Sequence, residues 1–116
     1  MEERTEYKLG QLLTLRYGRD HKQLNDGRIP VYGSGGIMRY ADQAVYAGPS
    51  ILIPRKGSLN NIMFTEHPFW TVDTMFWSVI NSELVDTKYL YYYLTQIDFS
   101  GLNVGSCFLL LTPKLN

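Results

Sequence analysis

Apolar residues in this chain come in short runs broken by Gly, Pro, Asn or Asp, a spacing that suits β-strands and turns better than long helices. β-prone runs fall at residues 29–32, 44–46, 51–53, 62–65 and Met75–Ile80. The stretch Thr74-Met75-Phe76-Trp77-Ser78-Val79-Ile80 is the most apolar and is expected to cross the middle of the core. One helix is clear: Asp86 or Thr87 can cap it, and Leu90, Tyr93, Leu94 and Ile97 fall at i, i+3, i+4 and i+7, a single apolar stripe for packing on a sheet. Tyr91 and Tyr92 point away from that stripe, as plain exposed rings or as stacking surfaces for bases. A shorter helical turn is predicted at residues 9–13, leading into a strand near 14–17, and Asn25-Asp26-Gly27 marks a turn in the polar stretch 18–28. The pattern predicts an α+β fold: a twisted, mostly antiparallel sheet or partly closed barrel with one or two packed helices.

Composition narrows this to one domain. The chain has 116 residues, 45% hydrophobic and 14% aromatic, enough for one modest core. No segment approaches the roughly 18 uninterrupted apolar residues of a membrane span, and the polar start Met1-Glu2-Glu3-Arg4 lacks a signal peptide's apolar core, so the expected location is the cytoplasm. The single cysteine, Cys107, excludes an intrachain disulfide and a cysteine-based zinc site. His21 and His67 are far apart and in no metal-ligand spacing, so neither metal nor cofactor is expected.

The net charge of zero hides a gradient. Residues 7–56 hold eight basic side chains against three acids, a balance of +5, whereas residues 57–116 hold two against five, a balance of −3. The first six residues contribute −2. A fold that gathers the first window on one face would present a basic surface despite the neutral total, although a solvated polar face has the same composition.

Two Gly/Ser-rich turns carry the chemistry. Gly33-Ser34-Gly35-Gly36 is followed by Arg39 and Tyr40, and Arg55-Lys56-Gly57-Ser58 closes the run ending at Pro54. Glycine lets another backbone or a phosphate approach closely, while Arg, Lys and Ser supply donors for phosphates and base edges. Ordinary turns between strands look the same. Catalytic motifs fail on specific grounds. Lys56 precedes Gly57, the wrong order for a phosphate-binding P-loop; Met38 stands where a dinucleotide fingerprint needs its third glycine; Ser34 is not in a GxSxG elbow. Glu66, His67 and Asp73 read as turn residues rather than an acid-base group, and no enzyme activity is expected.

Five ordered blocks together resemble the target-recognition domain of type I restriction-modification specificity subunits. They are Tyr7-Lys8-Leu9-Gly10; Ile29-Pro30-Val31-Tyr32-Gly33-Ser34-Gly35-Gly36; Ile51-Leu52-Ile53-Pro54-Arg55-Lys56-Gly57-Ser58; Pro68-Phe69-Trp70 with Asp73-Thr74; and Lys88-Tyr89-Leu90-Tyr91-Tyr92-Tyr93-Leu94. The resemblance implies a non-catalytic module that binds double-stranded DNA sequence-specifically and directs partner methyltransferase and restriction subunits. Arg39, Arg55 and Lys56 would contact phosphates or guanines; Ser34, Ser58, Asn60 and Asn61 would serve base edges or the backbone. Asn60 and Asn61 suit a plain turn equally well.

A full specificity subunit has two such domains joined by long helices. The chain reads as a single one, residues 1–116, truncated before the spacer helix, with a more apolar tail than the family pattern. Leu109, Leu110 and Leu111 in succession suit either a buried edge strand or a contact with a second copy, a homodimer. Two other readings share the composition: a protein-interaction or regulatory remnant without productive DNA binding, and a small-molecule or sugar-binding domain using Tyr32, Trp70 and Trp77.

Overall fold

The computed structural model describes residues 5–55, 61–96 and 108–111. The chain begins with β1 (Thr5–Lys8), a single helical turn α1 (Leu9–Leu12) and β2 (Leu13–Tyr17), then forms a hairpin of β3 (Asp26–Gly33) and β4 (Gly36–Ala41). It continues through β5 (Ser50–Pro54), β6 (Met63–Thr65), the two-residue β7 (Trp70–Thr71), β8 (Met75–Ile80), α2 (Thr87–Leu94) and β9 (Phe108–Leu111). These strands make three open sheets: a four-stranded one in the order β2-β8-β5-β6, a three-stranded one in the order β4-β3-β7, and the pair β1-β9. Every pairing is antiparallel except β3 with β7. The mixed fold with few helices is the expected one, and among the described residues no sheet closes into a barrel.

β5 is buried at all five positions because alternate side chains feed two different cores. Ile51 and Ile53 join Leu9 and Leu12 of α1, Leu90 and Leu94 of α2, and the adjoining Leu13 and Val85. Leu52 points the other way, to Val31, Phe69, Trp70, Val72 and Met75. β8 obeys the same period of two: Phe76 and Ile80 pack against the first core, while Met75 and Trp77 belong to the second. The most apolar run of the sequence therefore lies inside the large sheet, between β2 and β5.

The join between β5 and β8 is unusual. Direct pairing is confined to Ile53↔Phe76 and Pro54↔Met75. Beyond it, two fully buried serines stand in for the ladder. Ser50 Oγ accepts from the Ser78 amide at 2.9 Å and donates to the Ser78 carbonyl at 2.7 Å. Reciprocally, Ser78 Oγ accepts from the Ile51 amide at 3.0 Å and donates to the Ile51 carbonyl at 2.7 Å. Each hydroxyl satisfies one donor and one acceptor of the opposite backbone, as a trapped water would, so the amides and carbonyls of Ile51 and Ser78 are paired.

At α2 the Asp86 carboxylate accepts from the Tyr89 amide at 3.0 Å, which selects Asp86 as the cap. Leu90 and Leu94 are buried and Tyr93 half-buried; Ile97, the fourth stripe position, lies outside the described residues. Tyr91 stacks on Phe64 with ring centroids 5.5 Å apart, whereas Tyr92 is exposed. The Phe108–Leu111 run finds its strand partner in β1, within the chain itself.

Three expectations need correction. Residues 44–46 give only an isolated bridge between Tyr46 and Phe69. Both Val45 and Tyr46 amides are directed at the Phe69 carbonyl, so the backbone turns past one partner residue instead of running along a strand. Asn25-Asp26-Gly27 is not a turn: Asp26 already pairs with Ala41, and a bulge follows before Ile29 pairs with the same residue. Gly27 is required there, since a Cβ would fall 2.4 Å from the Ala41 carbonyl oxygen. The turn sits earlier, where the Leu24 amide donates to the His21 carbonyl at 3.0 Å. Finally β4 was not anticipated, because its Ile37, Met38 and Tyr40 are all exposed and the strand lacks a clean alternation.

Removing the Ser78 hydroxyl strips the Ile51 amide and carbonyl of their partners. Ser78→Ala is expected to cost about 1–3 kcal/mol, read as a lower urea midpoint at unchanged slope. An unchanged midpoint would contradict the role given to this hydroxyl.

Candidate nucleic-acid interface

Arg39, the first cation singled out by the sequence, is spent largely inside the molecule. Its side chain is 25% exposed and its guanidinium donates to the His21 carbonyl at 3.2 Å, the Leu24 carbonyl at 3.1 Å and the Asp26 carboxylate at 2.9 Å. The Asp26 side chain is 97% exposed, so that ion pair contributes less than about 1 kcal/mol and the two carbonyl bonds dominate. Arg39 thus ties the loop after β2 onto β4.

Arg55 is exposed and held differently. Its amide donates to the Thr74 carbonyl and its Nη1 to the Asp73 carbonyl, both at 2.9 Å. The guanidinium carbon lies 4.9 Å from the centre of the Tyr17 ring and 5.6 Å from that of Phe76. This fixes the 73–74 turn through backbone carbonyls, a turn expected there on the strength of Asp73 and Thr74 side chains. Arg39 and Arg55 are fastened to different segments. Lys56, Ser58 and Asn60 lie outside the described residues.

Ser34 and Asn61 are brought together. Gly33 pairs with Gly36, leaving Ser34 and Gly35 at the tip of the β3–β4 hairpin, and the φ of +117° at Gly36 suits glycine. Asn61 Nδ2 donates to the Ser34 carbonyl at 3.0 Å, linking the approach to β6 with the hairpin tip. The tip borders an open groove of about 630 Å³ whose other walls are residues 20–22 and 72–74. This groove offers mixed chemistry: the carboxylates of Asp20 and Asp73, the Lys22 ammonium, the Ser34 hydroxyl, and the apolar Ile37 and Met38.

A second open groove, about 660 Å³, is lined by residues 16–19, the stretch just before 20–22, and was missed by sequence reasoning. Arg16, Arg19, Gln43, Trp70 and Trp77 line it, and its walls include no acidic residue among the described residues. Neither guanidinium has a hydrogen-bond or ion-pair partner among the described residues. The signal was present in the sequence as Arg16-Tyr17-Gly18-Arg19, two cations around a glycine, but no apolar run drew attention to it. The aromatic residues considered for a small ligand are already engaged within the fold. Both indole N–H groups bond backbone carbonyls, Trp77 stacks on Tyr46 with centroids 4.9 Å apart, and Tyr32 packs edge-on against buried Phe69.

Comparison with known proteins adds the following. A family model for the type I restriction modification DNA specificity domain matches residues 1–113. A putative type I restriction enzyme specificity subunit of Haemophilus influenzae is 31% identical over 84 residues, covering 68% of this chain and 21% of that protein. Among solved structures, the S subunit of a type I restriction-modification system from M. genitalium superimposes with a TM-score of 0.78 at 19% identity, over 95% of this chain and 34% of that one. The HsdS subunit from Thermoanaerobacter tengcongensis gives 0.67 at 14% identity, over 95% and 33%. The chain therefore spans about a fifth to a third of the length of these relatives.

The Arg39 clasp gives a direct expectation. Arg39→Ala removes two charge-assisted bonds to carbonyls, about 1.5–3 kcal/mol of local stability, and should speed amide exchange at Leu24 and Asp42 roughly ten- to hundredfold. Hydrogen exchange resolved by residue measures this.

Proposed function

The chain belongs to the family of type I restriction-modification DNA specificity domains, and on that premise we propose that it reads a DNA sequence as a non-catalytic module, with methylation and cleavage left to partner subunits. The family match over residues 1–113 carries the reading. The geometry adds physical support. B-DNA's major groove admits a two-stranded β-ribbon, and the β3–β4 hairpin is such a ribbon, its Ser34-Gly35 tip exposed beside an open groove.

The mixed groove suits base edges better than phosphates. Carboxylates such as Asp20 and Asp73 accept from cytosine amino groups, Ser34 can donate or accept, and Ile37 and Met38 offer apolar contact to a thymine methyl. Arg55 carries the same reading toward a phosphate or a guanine, with Lys56, Ser58, Asn60 and Asn61 as its neighbours in sequence. Arg39 acts in it chiefly by holding the groove wall at His21 in place.

Selection from a randomised duplex pool with the purified chain tests this: a short enriched motif is the expected result, and retained duplex without any enrichment would refute sequence reading. Given S-adenosylmethionine, ATP and magnesium, the partner-free chain should neither methylate nor cut DNA. Arg55→Ala separates two roles. A uniform loss across sequences with a salt slope smaller by about 0.9 marks a phosphate contact. Relaxed preference at one base, costing about 1–3 kcal/mol of discrimination, marks a guanine.

A further inference from the structure

We propose that Arg16 and Arg19 form a fixed pair that grips the phosphate backbone of the duplex, separate from the groove at the hairpin tip. The proposal rests on the DNA-recognition reading and names the part of the surface that supplies its sequence-independent affinity.

The backbone beside and at the pair is fastened at four groups of residues 17–19. Trp77 Nε1 donates to the Tyr17 carbonyl at 3.2 Å and Trp70 Nε1 donates to the Arg19 carbonyl at 3.0 Å. The Gly18 amide donates to the Met75 carbonyl at 2.8 Å and the Arg19 amide to the Thr71 carbonyl at 2.9 Å. Between them Gly18 presses so closely on the second core that a Cβ would lie 1.9 Å from the Val72 carbonyl oxygen. Four hydrogen bonds and a glycine contact hold Tyr17, Gly18 and Arg19, and Arg16 is held by its pairing with Trp77 across β2 and β8, so the arginine stems leave from defined points and less freedom is lost on binding.

Electrostatics then separates the two grooves. Asp20 and Asp73 border the hairpin groove and repel phosphate, whereas the Arg16/Arg19 groove has no acid in its walls among the described residues and gains a neutral donor from Gln43. Two guanidiniums three residues apart at a strand end, without a hydrogen-bond or ion-pair partner among the described residues, match a repeating polyanion, because each can donate to phosphate oxygens without first breaking a bond to those residues. Residues 16–19 wall the arginine groove and residues 20–22 the hairpin groove, so the two grooves border consecutive stretches of one segment.

The experiment is a salt titration of full-chain binding to a mixed-sequence duplex, followed by fluorescence anisotropy. R16Q/R19Q should reduce the slope of log K against log salt by about 1.8, roughly 0.9 for each lost contact. R16K/R19K should keep the wild-type slope. A glutamine variant with wild-type slope and affinity overturns this inference and leaves the DNA reading standing, whereas a wild-type chain that binds no duplex at low salt overturns both. A second measurement needs no variant: duplex should protect Arg16 and Arg19 of the wild-type chain from an arginine-directed dicarbonyl reagent, read by mass spectrometry. Equal labelling with and without bound duplex overturns the assignment.

Discussion

The reciprocal hydroxyl exchange between Ser50 and Ser78 joins the two strands on which the rest of the structure leans. β5 is the shared wall of both cores and β8 its neighbour in the large sheet, so whatever holds them in register holds both cores. Ordinary ladder bonds cover only two residue pairs of that join. The serines complete it without admitting water, since both are fully buried and their short hydrogen bonds leave no backbone group of the opposing residue orphaned. Threonine would carry the same hydroxyl but add a methyl to a position with no exposed surface.

From that wall the molecule divides its labour. The first core is sheathed by α1 and α2 and has no part in either large groove. The second core reaches the surface, where Val72 lines the hairpin groove and Trp70 and Trp77 line the arginine groove. The same tryptophans that fill this core also use their N–H groups to fix the strand end bearing Arg16 and Arg19. Packing and display are thereby performed by single side chains, a common economy where an amphipathic ring has one apolar body and one polar edge.

The parts of this fold that were legible in the sequence are those with a strong period. β5, β8 and α2 announce themselves because one or both of their faces are buried, and the Asp86 cap is a local feature of three residues. β4 was hidden by its exposed apolar side chains, and β7 is too short to show any period. The candidate site was read through glycine-flanked cations, which identified the hairpin tip at Ser34 but could not tell a spent arginine from a free one. That distinction depends on distant partners: the carbonyls that engage Arg39 lie 18 and 15 residues earlier in the chain. The placement of the backbone at Tyr17 and Arg19 likewise depends on the tertiary arrangement, through indole bonds spanning 60 and 51 residues.

The hairpin and the loop before it bring their own anchorage with them. Residues 20–41 contribute Leu24, Val31 and Ala41 to the second core, and the Arg39 clasp closes entirely within this stretch, on His21, Leu24 and Asp26. It meets the remainder through that core, the short parallel pairing with β7, the Val72 amide bond to the Tyr32 carbonyl and the Asn61 bond at the tip. The clasp uses none of residues 34–38, which line the hairpin groove. A side-chain change in that short span therefore alters the groove lining without touching the bonds that hold the loop, so the shape of the groove and the anchorage of the hairpin are set by different residues.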